Sequence, residues 1–392
     1  MKKSLVLLLG GLQMLGPFTF DTYIAAMPAM AKDLSSSAAG IQMTILVNLI
    51  GMATGMFLAG SLSDAVGRRK PILGAVFSYF FASLIISVAS DLNTVIAFRF
   101  VQGFAGAAAM TVAMAVVRDT TKGEQSAKIY SKMMVVKSIA PIIAPAIGGL
   151  ILLFTDWRGI FIFLAAVALI IFVWALVSLQ ESHSPENRVS FTPFAVVRGW
   201  GLALSDRYFR ISLVANGFTT AGLFAYLSTG SFAVQQDYEM SPQVFSALLV
   251  FNGLGLLASS ALNTPLLKKY KTLRAFKVGM WLAISAAVAM LSSAALPGYF
   301  VVLEIGLLLT FATVGLVTPN SMALAMQNQA KNAGTSAGLQ GLVSSASGAL
   351  AILAITVVVG TSSTNLALFI AASYLLAATS LLMLRRVKSQ TL

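Results

Sequence analysis

The stretch Leu58-Ala-Gly-Ser-Leu-Ser-Asp-Ala-Val-Gly-Arg-Arg-Lys-Pro71 decides the fold. It sits between two long apolar runs, Ile41 to Leu62 and Pro71 to Ser90, so a polar turn with one acid and three adjacent bases is pinned between hydrophobic segments. About 20 mostly apolar residues cross a bilayer as a helix, and Lys and Arg collect on its cytoplasmic side. Arg68, Arg69 and Lys70 therefore mark an inner loop between two membrane spans. Any inner loop gathers bases, but that does not explain Gly60, Asp64 and Gly67 at their places.

Working outward, span-length apolar runs recur at 4–30, 38–62, 71–90, 94–116, 128–153, 160–180, 208–234, 243–266, 275–296, 300–325, 336–360 and 365–384. With 58% apolar residues, 10% charged residues and a mean hydropathy of +0.87, the chain is no soluble globule. The expected fold is an all-α membrane protein of twelve transmembrane helices in two pseudo-symmetric six-helix bundles. Of the 26 basic residues, 22 are counted to the inner segments and the span ends that join them, Lys32 and Arg158 fall in outer loops, and Arg99 and Lys137 lie deeper within spans. That asymmetry places both termini in the cytoplasm. The opening MKKSLVLLLGGLQMLG resembles a secretory signal, but no convincing A-x-A site precedes Asp21, so it is read as a retained first span.

The same inventory excludes several classes. A net charge of +13 suggests nucleic acid in a soluble protein, but here the bases lie between hydrophobic runs and set orientation. Without Cys there is neither a disulfide nor thiolate chemistry. The single His183, expected in a solvated loop, cannot build a multi-histidine metal site. The phosphate cradle G-x-x-x-x-G-K-[ST] of an ATP-driven pump and the H-E-x-x-H of a metalloprotease are both missing. The expectation is therefore a non-enzyme without cofactor or metal.

The longest polar interval, ESHSPENRVSFTPFAVVRGWGLALSD from Glu181 to Asp206, halves the chain. It suggests a bundle over 1–180, a cytoplasmic linker over 181–207 and a second bundle over 208–392, with a substrate site near the bilayer midplane exposed alternately to each side. Between spans 8 and 9 the sequence NTPLLKKYKTLR keeps Lys268 and Lys269 but lacks the Asp and paired Gly of the opening loop.

Ionisable residues inside a bilayer need a partner or a use. At about 1.5 Å per residue, Asp21 falls roughly 6 Å and Arg99 roughly 9 Å outward of their span centres, in one layer. Lys137 falls roughly 5 Å inward, and Glu304 roughly 12 Å outward, close enough to the interface to be wet. Asp21 reads either as a carboxylate that trades a proton from the outer side, altering its attraction to Arg99 and to a cationic substrate, or as a fixed ion pair locking spans 1 and 4. Arg99 alternatively reaches to the outer interface. Cavity candidates are Gln42, Met43, Asn48 and Met52 in span 2, Gln102 in span 4, Phe218, Phe224 and Tyr226 in span 7, Phe251 and Asn252 in span 8, and Asn320 in span 10.

The spacing Gly60, Asp64, Gly67, Arg68, Arg69 resembles the loop signature of the major facilitator family. IAFRFVQGFAGAAAM, with Arg99, Gln102 and Gly103, resembles the R-x-x-Q-G segment of that family's drug:proton antiporters, where the Arg is implicated in proton transfer. KSIAPIIAPAIGGL, with Pro141, Pro145, Gly148 and Gly149, resembles the antiporter motif, whose bend limits leak during exchange; a kink that serves packing alone is the other reading. Together with Asp21-Thr-Tyr-Ile-Ala-Ala-Met-Pro28, Arg118-Asp119, Trp157-Arg158 and GLVTPNSMALAM from Gly315, these look like the Bcr/CflA branch of multidrug exporters over nearly the whole chain. Lys137 departs from that pattern, and pairs with Asp21, repels cationic drugs or holds an anionic group.

The resemblance implies a proton-coupled antiporter in a bacterial inner membrane, acting as a monomer on small molecules; the residues expected in coupling are Arg99 from that resemblance and Asp21 and Glu304 as ionisable groups within spans. One proton entering down about 100 mV yields roughly 2.3 kcal/mol, about a fifty-fold gradient of a neutral solute. The competing expectation is a proton-coupled uptake symporter for a small polar or anionic metabolite.

Overall fold

In the computed structural model, which describes residues 3–121, 123–183, 200–201, 203–329 and 333–388, the apolar runs fold as helices that outlast their hydrophobic windows. They are α1 (Lys3–Asp21), α2 (Met27–Asp33), α3 (Ala38–Val66), α4 (Arg69–Val88), α5 (Leu92–Thr120), α6 (Gly123–Phe154) and α7 (Trp157–Ser178). There follow α8 (Arg207–Phe232), α9 (Pro242–Lys269), α10 (Thr272–Ala295), α11 (Phe300–Met326), α12 (Ala333–Ala354) and α13 (Ser363–Lys388). Among the described residues there is no strand, and 11 helical segments are long and apolar enough to cross a membrane. The fifth expected span falls in α6, a continuous helix of 32 residues whose second half, Ile139–Phe154, is apolar.

Polar side chains start these helices where the backbone N–H groups lack partners. Ser37, Asp91, Asp156 and Asp206 each accept a hydrogen bond from a backbone N–H in the first turn that follows, as helix N-termini require. Gly67 ends α3 at φ 98°, a conformation in which a side chain is strained.

The first span is not the continuous helix expected over 4–30. It breaks after Asp21 into a turn at Thr22 and Tyr23, a single 3-10 turn Ile24–Ala26, and then α2. Most of the expected 181–207 linker, residues 184–199 and 202, lies outside the described residues.

The chain divides into two compact units, Met1–Thr192 with Ser241–Val250, and Pro193–Met240 with Phe251–Leu392. Inside the first, α5 packs on α3 and α4, α4 on α7, and α1 on α5, α6 and α7. Inside the second, α10 packs on α11 and α13, and α8 on α11, α12 and α13. Numbering the spans within each unit, the pairs third–fourth, third–sixth, first–fourth, first–fifth and first–sixth recur in both, an internal repeat at the level of packing. Helices α3 and α5 approach closely, so that a methyl on Gly51 would overlap the Phe100 carbonyl and one on Gly103 the Asn48 carbonyl. Small residues allow the dispersion contact that holds helices together in lipid.

Candidate functional site

The break in the first span organises the site of the first unit. Ending α1 at Asp21 strands the carbonyls of its last turn, and Arg99 of α5 answers one of them. Its Nη1 donates to the Thr19 carbonyl at 2.9 Å and to Gln102 Oε1 at 2.7 Å. A cation at a helix C-terminus is favoured electrostatically. The Tyr23 ring lies 4.2 Å from the Arg99 guanidinium carbon, with Phe20 and Phe161 about 6 Å away.

Arg99 is fully buried, and its Nε and Nη2 have no hydrogen-bond partner. No bond joins it to Asp21 among the described residues, so the fixed ion pair between spans 1 and 4 is absent here, as is an Arg99 that reaches to the outer interface. Asp21 is partly buried at the break.

A polar network carries the position of Arg99 into three neighbouring helices. Asn48 Nδ2 of α3 donates to the Arg99 carbonyl at 2.7 Å, and Gln102 Nε2 donates to Ser83 Oγ of α4 at 2.8 Å. The Thr19 and Tyr79 hydroxyls meet at 2.8 Å, and those of Tyr23 and Thr44 at 3.0 Å. From the other side, α6 presents Gly148 to the break, where a methyl would overlap the Thr22 carbonyl, while one on Gly149 would press on Ser246. Pro141 and Pro145 lie inside α6, each removing a backbone donor. Gly148 therefore gives the broken backbone room beside Asp21.

At the opposite end of the unit the loop residues form a clasp. Arg68, fully buried, pairs with Asp64 at 2.6 Å and Asp119 at 2.7 Å, and donates to Ser63 Oγ at 2.6 Å. Arg69 Nε and Nη2 donate to the Leu179 and Leu176 carbonyls, capping the C-terminus of α7. Glu181 accepts the backbone N–H groups of Arg68, Arg69, Ser182 and His183. Burial alone would raise its carboxyl, but those donors outweigh it and hold it below the usual carboxylate range. Gly60 lines a cavity of about 210 Å³ beside Asp64 and Arg118, where a methyl would meet only Thr111 at 3.8 Å. His183 is not the solvated loop residue expected. Its side chain is 13% exposed, with Nδ1 3.6 Å from Asp119 Oδ2.

In the second unit the remaining candidates separate. Both Glu304 oxygens are buried, correcting the wet position that counting residues gave it: depth along a span says nothing about whether the surrounding bundle is dry. Glu304 shares its surroundings with the fully buried Asn252 and Tyr226. Asn320 is used in packing, with Nδ2 bonded to Asn263 Oδ1 at 2.7 Å and to the Leu316 carbonyl at 2.7 Å. Phe218 lines an apolar cavity of about 530 Å³ between α8, α12 and α13, Phe224 packs over Gly348, and Phe251 is half-exposed on a different face from Asn252. In the first unit Gln42 is buried and Met43 partly buried. The Lys137 side chain lies outside the described residues.

The structure thus brings Asp21, Asn48, Arg99, Gln102 and Gly148 to one break, gathers Tyr226 and Asn252 beside Glu304 in the second unit, and leaves Phe218, Phe224, Phe251 and Asn320 dispersed. Sequence reasoning missed Thr19, Tyr23, Tyr79 and Ser83. Their signal was polar side chains inside apolar runs, which a search for charged groups passes over.

The sequence profile of the Major Facilitator Superfamily matches residues 9–352. The chain is 33% identical over 342 residues to the uncharacterized MFS-type transporter YdgK of Bacillus subtilis, covering 87% of this chain and 85% of that one. It is 29% identical over 345 residues to the bicyclomycin resistance protein homolog of Haemophilus influenzae, covering 88% and 87%. With the multidrug resistance protein MdtL of Shewanella oneidensis it shares 32% over 282 residues, covering 70% and 69%. Among solved structures it superposes on the POT family transporter PepTSo with TM-score 0.79 at 14% identity, covering 100% and 99%, and on a D-xylose-proton symporter with TM-score 0.76 at 15% identity, covering 97% and 96%.

Proposed function

The chain belongs to the Major Facilitator Superfamily, and from that premise we propose that this membrane transporter exports drugs or other amphipathic small molecules in exchange for protons. It does so across the inner membrane of a bacterium, by alternating access, with twelve spans in two six-helix halves and both termini cytoplasmic. The bicyclomycin and multidrug resistance names of its relatives support export. The likeness to a xylose-proton symporter, at 15% identity, bears on the fold alone.

One observation carries the coupling. A carboxyl sits at the end of a broken helix, and two residues before it the chain is held by a buried guanidinium with unused donors. An ionised Asp21 is drawn to those donors or to a cationic substrate, whereas a protonated Asp21 is not. Proton binding therefore releases the passenger and returns Arg99 to Thr19 and Gln102. The aromatic rings of Tyr23, Phe20 and Phe161 hold the cation while it has no anion.

Dye or chloramphenicol accumulation in cells overproducing the protein tests this, with and without an uncoupler. Exclusion that the uncoupler abolishes supports export. Uptake that the uncoupler abolishes ends that reading in favour of a symporter.

A further inference from the structure

We infer that Glu304, Asn252 and Tyr226 form a second proton-binding site, in the second unit, so that two protons pay for each passenger. This rests on the reading of the protein as a proton-coupled exporter and goes beyond its single coupling carboxyl at Asp21.

The three residues come from α11, α9 and α8. Asn252 and Tyr226 are fully buried, and the Asn252 amide lies against both the Glu304 carboxyl and the Tyr226 hydroxyl. Neither Glu304 oxygen makes a hydrogen bond among the described residues, and neither does the Asn252 amide. The Tyr226 ring stands edge-on to Phe311, centroids 5.7 Å apart, walling the cluster with an apolar face.

Among the described residues no cation pairs with this carboxyl. On α8 and α9 the nearest bases along the helix are Arg210 and Lys268, each about 24 Å of helical rise from Tyr226 and Asn252. Arg274 and Lys277 of α10, and the bases after Leu384 of α13, also lie at the far ends of their helices. Helix α12 brings no titratable group, and α13 brings Tyr374, whose hydroxyl donates to the Thr310 carbonyl. At the near end Asp237 accepts the Ser363 N–H, Tyr238 donates to the Pro297 carbonyl, and Glu239 and Tyr299, on two different loops, are both exposed.

A buried carboxylate without a counter-ion is costly, so the group that completes this site is a small cation. Glu304 with the two neighbouring side-chain oxygens offers too few oxygens for calcium or magnesium, which take six or more, and no His or Cys of the kind zinc prefers, whereas a proton needs one. As an acid, Glu304 donates to the Asn252 amide oxygen; as a carboxylate, it accepts from the amide nitrogen. Asn252 serves both states. Glu304 lies about 6 Å along α11 from its first residue, Phe300, a short path to the exposed Pro297–Tyr299 loop.

Reconstituted protein carrying a neutral drug, with the potential clamped at zero and a pH difference of one unit, gives the proton number as the drug ratio at which net flux vanishes. Two protons put that ratio near a hundredfold, one proton near tenfold. The expected result is about a hundredfold for the wild type and about tenfold for Glu304→Gln. A wild type that balances at tenfold overturns the second site whether or not the variant folds, and leaves single-proton export standing. A Glu304→Gln protein that still balances at a hundredfold also overturns it. A balance that follows the sodium gradient when choline replaces sodium makes the ion sodium and refutes the proton. A wild type with no balance point away from unity refutes the exporter reading itself.

Discussion

Replacing Arg99 with methionine should separate transport from stability. Its two hydrogen bonds from a charged donor are worth about 1.5–3 kcal/mol each, and the stacked Tyr23 ring about 2 kcal/mol in a dry site. Against this stand the several kcal/mol needed to bury an ion and about 1–3 kcal/mol for each unanswered donor atom, Nε and Nη2. The two sides agree to within a few kcal/mol. Arg99→Met should therefore melt within a few degrees of the wild type in detergent, followed by intrinsic tryptophan fluorescence. Drug transport driven by a pH gradient in proteoliposomes should nevertheless fall at least tenfold. Arg99→Lys keeps the charge, but its shorter side chain cannot place a donor where Nη1 meets both the Thr19 carbonyl and Gln102, nor lay a planar cation by the Tyr23 ring, so it should recover little of the flux. A variant that unfolds in the membrane makes Arg99 a structural lock, and one that transports normally removes it from the mechanism.

Gly148→Val drives a side chain into the Thr22 carbonyl, and should lose about 1–3 kcal/mol of stability and most of its transport; normal flux would detach α6 from the site. Glu181→Gln weakens the acceptor of four backbone donors. Because the folded carboxyl titrates below its unfolded value of about 4.3, the stability it contributes is present above that value and is lost as pH falls through the folded one. The melting difference between wild type and Glu181→Gln should thus be largest near neutral pH and vanish in acid; a constant difference contradicts the clasp. Gly67→Ala strains a left-handed residue by about 1–2 kcal/mol, measurable as a lowered melting temperature. Asp64→Ala with Arg68→Ala should slow transport, and an unchanged rate leaves that loop only a topological part.

The spans were legible because twenty-residue apolar runs and basic loops are large signals, and the loop motif pointed to the clasp around Arg68. The break after Asp21 was not, since DTYIAAMP stays largely apolar through it, although Pro28 in the first turn of α2 cannot donate back to Ile24 and so favours a new helix start there. Its stabilisers are distant: Arg99 from α5 and the vacant side of Gly148 from α6. Counting residues gave Glu304 a depth but not its surroundings, which α8 and α9 supply. His183 looked like loop because its neighbours are polar, yet the chain turns it towards Asp119.

The central claim is that a passenger and a proton compete for Asp21. The binding constant of a monocationic drug to purified protein, measured from acid to alkaline pH, tests it most directly. The wild type should lose affinity as pH falls, by up to about tenfold per unit, while Asp21→Asn binds weakly and equally throughout. Affinity that ignores pH in the wild type, or the same pH dependence in Asp21→Asn, contradicts it.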